Sequence, residues 1–346
     1  MEAFDSPLAV LRFSHLNLPD KLRTGAVIAY LRLLRNWQPL EGIRAEEWLR
    51  RWMGERPYRV LWQPQFQAKF GEEYAQVNMA WFWARISKRT KALGYYAGGF
   101  QAFADRMAQV AAERGGRVLL GRTVQRVRPL ANGHFVVEAG EATEEVERAI
   151  VTVGPRAALA MLPDLPAAYA EQLRSLRSYG AMTVVLALDR PLTPKHYWIS
   201  LSKEAFPFMA AVEHTNYIEP SHYGGNHLVY LGEYLLESDP HFQMSKEELL
   251  ALYLPALRRI NPRFDPSWVR KSWLFRESEA QPFTPVHHSR ALPPLRTPVR
   301  GLYVAGMSQV YPWDRGTNYA VEMGREVARI VAADDSPAFA HSGDNS

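Results

Sequence analysis

The segment that most constrains the fold of this 346-residue chain lies near its end. Residues 301–306 read Gly-Leu-Tyr-Val-Ala-Gly, residues 307–315 read as a loop, and residues 316–325 run Gly-Thr-Asn-Tyr-Ala-Val-Glu-Met-Gly-Arg. A short apolar run between glycines is a buried strand, and the spacing beyond Gly316 is that of a helix. Strand, loop and helix in this order turn backbone N–H groups at a helix N-terminus toward an anionic or electron-rich ligand. A binding function is the first expectation.

Composition removes several chemistries. There is no cysteine, which excludes disulfides, thiolate metal sites and a cysteine nucleophile and fits a reducing, cytoplasmic compartment. No run of eighteen apolar residues occurs, so no membrane-spanning segment is expected, and the first six residues lack the basic and apolar regions of a signal peptide. The net charge of +5 comes from arginines scattered along the chain and not from a basic tail. That argues only weakly for nucleic acid, which is not expected as a partner, and somewhat better for a peripheral contact with an anionic membrane surface. Aromatic residues make up 12% of the chain, more than a plain core needs; they suit either a pocket for a flat or greasy ligand or a tryptophan-rich core.

Periodicity gives a first helix over residues 17–37, capped by Asn17, with Pro19 in its first turn and an apolar stripe of Leu22, Ala26, Tyr30, Leu33, Leu34 and Trp37. Its charges from residue 21 onward are Lys21, Arg23, Arg32 and Arg35, without an acid. A basic amphipathic helix of this kind either lies on a membrane or packs in a domain with a solvated face. Helices are also expected over 44–53, 76–89 and 100–114, the last stopped by Gly115 and Gly116. Strands follow over 117–120 leading into 123–127, then 134–139 and 148–153, with Asn132-Gly133 as a hairpin turn. Strands over 183–189, 228–234 and 268–275 come next, and Ser245 with Glu248 forms a capping box for a helix over 246–260 that Pro255 should kink. Residues 334–346, small and polar, read as a disordered tail.

Other clusters carry less. His287-His288 reads as a surface turn without a third ligand at metal spacing, so no metal site is expected. Asp239-Pro-His241 is a turn, and Ser200, Ser202 and Ser221 lack the glycines of a nucleophile elbow. Trp81-Phe82-Trp83 either lines a substrate tunnel or packs a helix on the core.

Three elements together resemble one family. They are Tyr96-Ala-Gly98-Gly99-Phe100 with a helix and then Gly115-Gly-Arg-Val-Leu-Leu-Gly-Arg-Thr-Val124; Ala149-Ile-Val-Thr-Val-Gly-Pro155 with Leu159 and Leu162-Pro163; and Gln281-Pro-Phe283 followed by residues 301–306 and 320–325. Their order is similar to that of the FAD-dependent amine oxidase superfamily, which includes protoporphyrinogen oxidases and phytoene or carotene desaturases. The resemblance spans about residues 6–332, with little motif support in the first ninety.

It implies an α/β (α+β mixed) fold: a discontinuous FAD-binding Rossmann-like domain with an inserted substrate domain of mixed sheet and helices. Residues 1–93 would form a helical part of the substrate domain, 94–156 the helix and meander of the FAD domain, 157–294 the substrate domain, and 295–333 the closing strand and helix. FAD would be the cofactor. Thr123 and Val124 would meet the adenine, Pro155 would lie beside the flavin, and Gly306 and Met307 would approach the pyrophosphate or ribityl chain. Thr317, Asn318 and Tyr319 would direct N–H groups at the flavin O2, where a helix N-terminus stabilises the charge of the reduced ring. Tyr311, Trp313, Asp314 and Arg315 would line the reacting face; an Asp314–Arg315 pair that merely fixes the loop is the alternative.

Two departures shape the expectations. Met307 stands where the family usually has Asp or Glu. No Gly-x-Gly-x-x-Gly turn occurs, so the chain reads as lacking its N-terminal dinucleotide-binding segment, with an incomplete FAD domain and doubtful activity alone. The expected reaction moves a hydride from a hydrophobic or amine substrate to flavin N5, desaturation of an isoprenoid-like lipid being placed ahead of amine oxidation. A flavin-dependent sugar-nucleotide mutase and a non-catalytic truncated fragment are the rival readings.

Overall fold

A computed structural model describes residues 13–88 and 94–335. From the amino end the chain forms helices α1 (Leu18–Leu33), α2 (Ala45–Trp52), α3 (Gln63–Phe70), α4 (Met79–Ser87) and α5 (Gly99–Glu113). Strands β1 (Arg126–Pro129), β2 (Phe135–Ala139), β3 (Ala142–Val146) and β4 (Ala149–Val151) follow, then helices α6 (Pro155–Met161) and α7 (Ala167–Ser175). Next come β5 (Ser178–Leu188), β6 (Trp198–Ser200), β7 (Ala210–Glu213), β8 (His227–Leu235), α8 (Lys246–Leu257) and β9 (Val269–Pro282). The chain closes with β10 (Leu302–Val304) and α9 (Thr317–Asp334). Two compact units result: one takes the described residues up to 87 and 177–287, the other 88–176 and 288 onward.

In the first unit β6-β7-β8-β5-β9 form an antiparallel sheet. Period-two alternation sends Met182, Val184, Leu186 and Leu188 of β5 and Val229, Leu231 and Leu235 of β8 to one face. There Leu249, Tyr253 and Leu257 of α8, spaced four apart, close the core. The capping box starts this helix as expected: Ser245 accepts from the Glu248 N–H, and Glu248 accepts from the Ser245 N–H. Pro255 lies inside α8, which closes at Leu257 and not at 260.

Two buried glutamates interrupt this apolar region. Glu213 accepts from the Leu192 and Thr193 N–H groups and the Thr193 hydroxyl. Glu233 lies 3.2 Å from Lys203 Nζ and 3.3 Å from the Tyr253 hydroxyl. Burial outweighs these partners and pushes both carboxyl pKa values above the ordinary 4.5. A raised pKa in the folded state adds stability that is fully present below the unfolded value and is lost as pH rises through the folded one. Urea midpoints of the wild type should therefore fall, relative to those of Glu233→Gln, as pH climbs from about 5 to 8. Parallel pH profiles of the two proteins would remove Glu233 as the cause.

The helical part of this unit is built on α4, in which every residue but Arg85 and Ser87 is apolar and buried. Asn78 starts it, its Oδ1 accepting from Trp81 N while its Nδ2 donates to the Pro285 carbonyl. Trp81 meets Phe66 and Phe70 at 5.4 and 4.9 Å between ring centroids, and Phe82 meets Trp62 edge-on at 4.8 Å. Trp81-Phe82-Trp83 is thus core. Helix α1 is capped by Asn17, as the sequence indicates, but ends at Leu33, where the Trp83 indole donates to the Leu34 carbonyl. The expected stripe is turned outward: Leu22, Ala26, Tyr30 and Leu33 are exposed, while Thr24, Val27 and Leu31 are buried.

In the second unit β1-β2-β3 form an antiparallel meander turning at Gly133, which takes the left-handed φ of +83° that the Asn-Gly pair anticipates. Residues 117–120, expected as a strand, pair with nothing in a named strand, and Val118, Leu119 and Leu120 are exposed. Strand β3 was not anticipated; its exposed Thr-Glu-Glu run gives no apolar signal. Strands β4 and β10 pair in parallel, Leu302 opposite Ala149 and Val304 opposite Val151. Helix α9 continues through Asp334, into the expected tail; residues 336–346 lie outside those described.

Candidate active site

The site is assembled at the carboxyl ends of β4 and β10. Ligands of parallel α/β layers sit at this end, because the loops there diverge and leave backbone groups facing outward. Strand β10 is buried on both faces, which explains its unbroken apolar run. Leu302 and Val304 pack with Val151, Leu162, Tyr169 and Leu173, and Tyr303 and Ala305 pack with Val327 and Met323 of α9. Gly301 enters the strand at a φ of +84°, hemmed by Phe135 and the Glu147 carbonyl, so a side chain there would be both strained and crowded.

Beyond the strand the chain stays close to β4. The Ala305 N–H donates to the Val151 carbonyl at 2.9 Å. A Cβ on Gly306 would lie 2.8 Å from the Val153 carbonyl oxygen, inside any real carbon–oxygen contact. The Gly306 N–H donates to Gln309 Oε1 at 2.8 Å, and Gln309 Nε2 donates to the Pro293 and Val304 carbonyls. Gln309, a residue for which sequence reasoning found no role, therefore fixes the loop. Pro155 is buried in the first turn of α6, Met307 is half-buried, and Val124 packs on the same core as β4. Thr123 is exposed, just ahead of β1.

The loop then delivers an aromatic pair to the start of α9. Trp313 and Tyr319 stack with 6.1 Å between centroids and 2° between planes. Lys88 places its ammonium 4.9 Å from the Trp313 centroid, a cation–π contact that no sequence pattern signals. Tyr311 packs edge-on against His288 at 5.0 Å. His288 is buried, so the expected surface turn is corrected at this residue. Asp314 accepts from the Arg315 N–H at 3.0 Å and lies 3.8 Å from the Arg315 guanidinium, which supports the loop-fixing alternative.

Helix α9 starts at Gly316 with no capping side chain and no acid in its first turn. The first turn, Thr317 to Tyr319, carries no acid of its own to offset the partial positive charge of the helix terminus. The far end is tied down: the Tyr303 hydroxyl donates to Asp334 at 2.8 Å, and Arg296 donates to the same carboxylate. The Arg296 bond holds the Asp334 carboxyl below its ordinary value, and burial pushes Tyr303 up to about 12, so Tyr303 remains a donor. This end is anchored and the other is open. The open end combines a backbone with no room for a side chain at Gly306 and a helix start without an acid in its first turn.

Comparison with known proteins agrees. The family described as flavin containing amine oxidoreductase matches residues 2–332. Among solved structures, a provisionally named protoporphyrinogen oxidase from Exiguobacterium sp. 255-15 is 16% identical, with a TM-score of 0.68 over 95% of this chain and 75% of its own. An oxidoreductase from Methanosarcina mazei is 20% identical, with a TM-score of 0.67 over 90% and 73%. Cyclohexylamine oxidase from Brevibacterium oxydans IH-35A is 15% identical, with a TM-score of 0.66 over 93% and 76%. At these identities the structures speak to fold. No curated protein matches the sequence.

These matches overturn one expectation and what followed from it. The family match starts at residue 2, and an alignment over 95% of the chain cannot leave the first ninety residues outside. The match gives no ground for reading the chain as lacking a segment, so that reading, the incomplete FAD-binding domain and the doubt about activity are withdrawn, while each unit is drawn from two separate stretches of chain.

Proposed function

This chain belongs to the flavin containing amine oxidoreductase family, and on that premise we propose that it oxidises a small, largely apolar amine. It is an FAD-dependent oxidoreductase of the amine oxidase and desaturase type. When bound, FAD supplies the hydride acceptor, at flavin N5. The protein's own part is to seat the cofactor, to place the substrate C–H and to keep water out. In this reading Gly306 and Met307 hold the cofactor by backbone approach, Met307 bringing no carboxylate. Pro155 and Val124 wall the same end of the parallel pair, with Thr123 at its exposed margin. The first amides of α9 at Thr317, Asn318 and Tyr319 stabilise negative charge. Trp313, stacked on Tyr319 and capped by Lys88, gives a flat apolar wall, while Tyr311, Asp314 and Arg315 set the shape of the loop.

The observation that carries the reading is the crowded backbone at Gly306 followed in the chain by the uncapped, acid-free start of α9. It can be tested on the FAD-loaded protein by mixing with cyclohexylamine without oxygen. Bleaching of the flavin supports amine oxidation; bleaching only by a polyisoprenoid supports desaturation, which the outward apolar face of α1 favours as the second reading. Bleaching by neither overturns both.

A substitution separates the helix terminus from fold effects. Asn318→Asp adds an acid to the first turn of α9, which should stabilise the helix by about 0.3–1 kcal/mol. The same charge faces the reduced flavin, so the flavin midpoint potential should fall and amine-driven reduction should slow several-fold. A variant that melts no lower than its parent but reduces more slowly meets the expectation. Unchanged reduction would detach α9 from the flavin.

A further inference from the structure

The outward side of α1 inverts the usual surface rule. At 100° per residue, its solvent-facing arc consists of Leu18, Leu22, Gly25, Ala26, Ala29 and Leu33. Leu18, Leu22 and Leu33 are 61%, 62% and 81% exposed. No polar side chain stands on that arc. Cations border it: Lys21 and Arg32 on one side, Arg23 on the other, and Arg35 just past the end. The one acid of α1, Asp20, lies on the inward side, its backbone N–H held by Asn17.

Aromatic residues extend the same surface. Tyr30, 52% exposed, stacks on Trp48 at 6.2 Å, and Trp48 meets Trp52, 51% exposed, at 6.2 Å. Arg23 fixes this arrangement, its guanidinium donating to the Trp52 and Arg51 carbonyls at the end of α2. The neighbouring acids are engaged in ion pairs, Glu46 and Glu55 with Arg50 and Glu47 with Arg44. Leucines at the centre, amphipathic aromatics beside them and cations at the border are the order of groups met on crossing from acyl chains to headgroups.

We infer that this face of α1, with Tyr30 and Trp52, docks on an anionic phospholipid surface, the leucines entering the acyl boundary and the cations meeting phosphate headgroups. Charge decides between this occupant and a second copy of the chain. An isologous contact would set the cations of one face against the same cations of the other, whereas an anionic bilayer attracts both borders at once. The inference is independent of the amine or lipid substrate, and its test needs no turnover.

The FAD-loaded protein is sedimented with vesicles of phosphatidylcholine alone and with a third phosphatidylserine. Binding at least tenfold stronger to the anionic vesicles, weakened by added salt, is expected. Leu22→Glu with Leu33→Glu should lower that binding at least tenfold, and so should Arg32→Glu with Arg35→Glu, with melting temperature and flavin absorbance kept. Equal binding to both vesicle types, no binding to either, or variants that bind like the parent would each overturn the inference. Concentration-dependent dimers of the parent that Leu22→Glu with Leu33→Glu abolishes would assign the face to a second copy instead.

Discussion

Replacing Gly306 by alanine is expected to lower FAD retention at least tenfold and to destabilise the second unit by about 1–3 kcal/mol. The backbone is not the obstacle, since Gly306 has a φ of −105° that any residue adopts. Space is. The new methyl carbon would stand 2.8 Å from the Val153 carbonyl, a backbone atom held by its own strand connection, so β10 or the segment after β4 must move. Either shift disturbs the Gly306–Gln309 bond and the path toward α9. Gly324 supplies the control, because a Cβ there meets nothing within 4 Å and the residue lies inside α9. Gly324→Ala should therefore stabilise, by about 0.5–1 kcal/mol from helix propensity. Opposite signs for two glycine-to-alanine changes, read as flavin absorbance after gel filtration and as melting temperature, would place the cofactor at the strand ends. Full flavin retention by Gly306→Ala would move it elsewhere.

The second large effect is expected in the first unit. Trp81→Ala should cost the first unit about 3–5 kcal/mol, the range for removing a buried aromatic. The loss is more than a cavity. Arg85 lies over the Trp81 ring at 3.3 Å from its centroid and Lys69 lies at 5.4 Å, so two cations lose the π face that offsets their partial burial. Trp81→Phe keeps a face and should recover most of the stability. Urea unfolding followed by circular dichroism reads this directly. A residue lining a substrate passage would instead raise KM and leave the urea midpoint in place, and that result would take Trp81 out of the core.

The strand–loop–helix at residues 301–325 was legible because each part has its own local signal: an unbroken apolar run, then glycine, then helical spacing. The Asn132-Gly133 turn and the Ser245–Glu248 box were legible for the same reason. Helix α1 shows the limit. Its periodicity reveals that one side is apolar, but Thr24, Val27 and Leu31 form a second, shorter stripe, and packing on α4 chose that one. Only the fold could say which stripe faces inward. Gln309 and Lys88 escaped altogether, since each acts through a spatial neighbour and neither position breaks a pattern. The absent glycine turn misled in the other direction, because one motif was given the weight of a whole segment.

The parallel pairing of β4 with β10 also sets an order of events on the ribosome. The two strands meet although Ala149 and Leu302 are more than 150 residues apart in the chain. Every strand of the five-stranded sheet lies between them, from Ser178 to Pro282. Synthesis runs from the amino end at roughly 5–20 residues per second, so that sheet can pair within itself while β4 still has no parallel neighbour. Loop closure across an already folded insert costs less entropy than closure across a free chain. Among the described elements the parallel pair, where the cofactor is proposed to sit, is therefore completed last, when β10 and α9 have just been made.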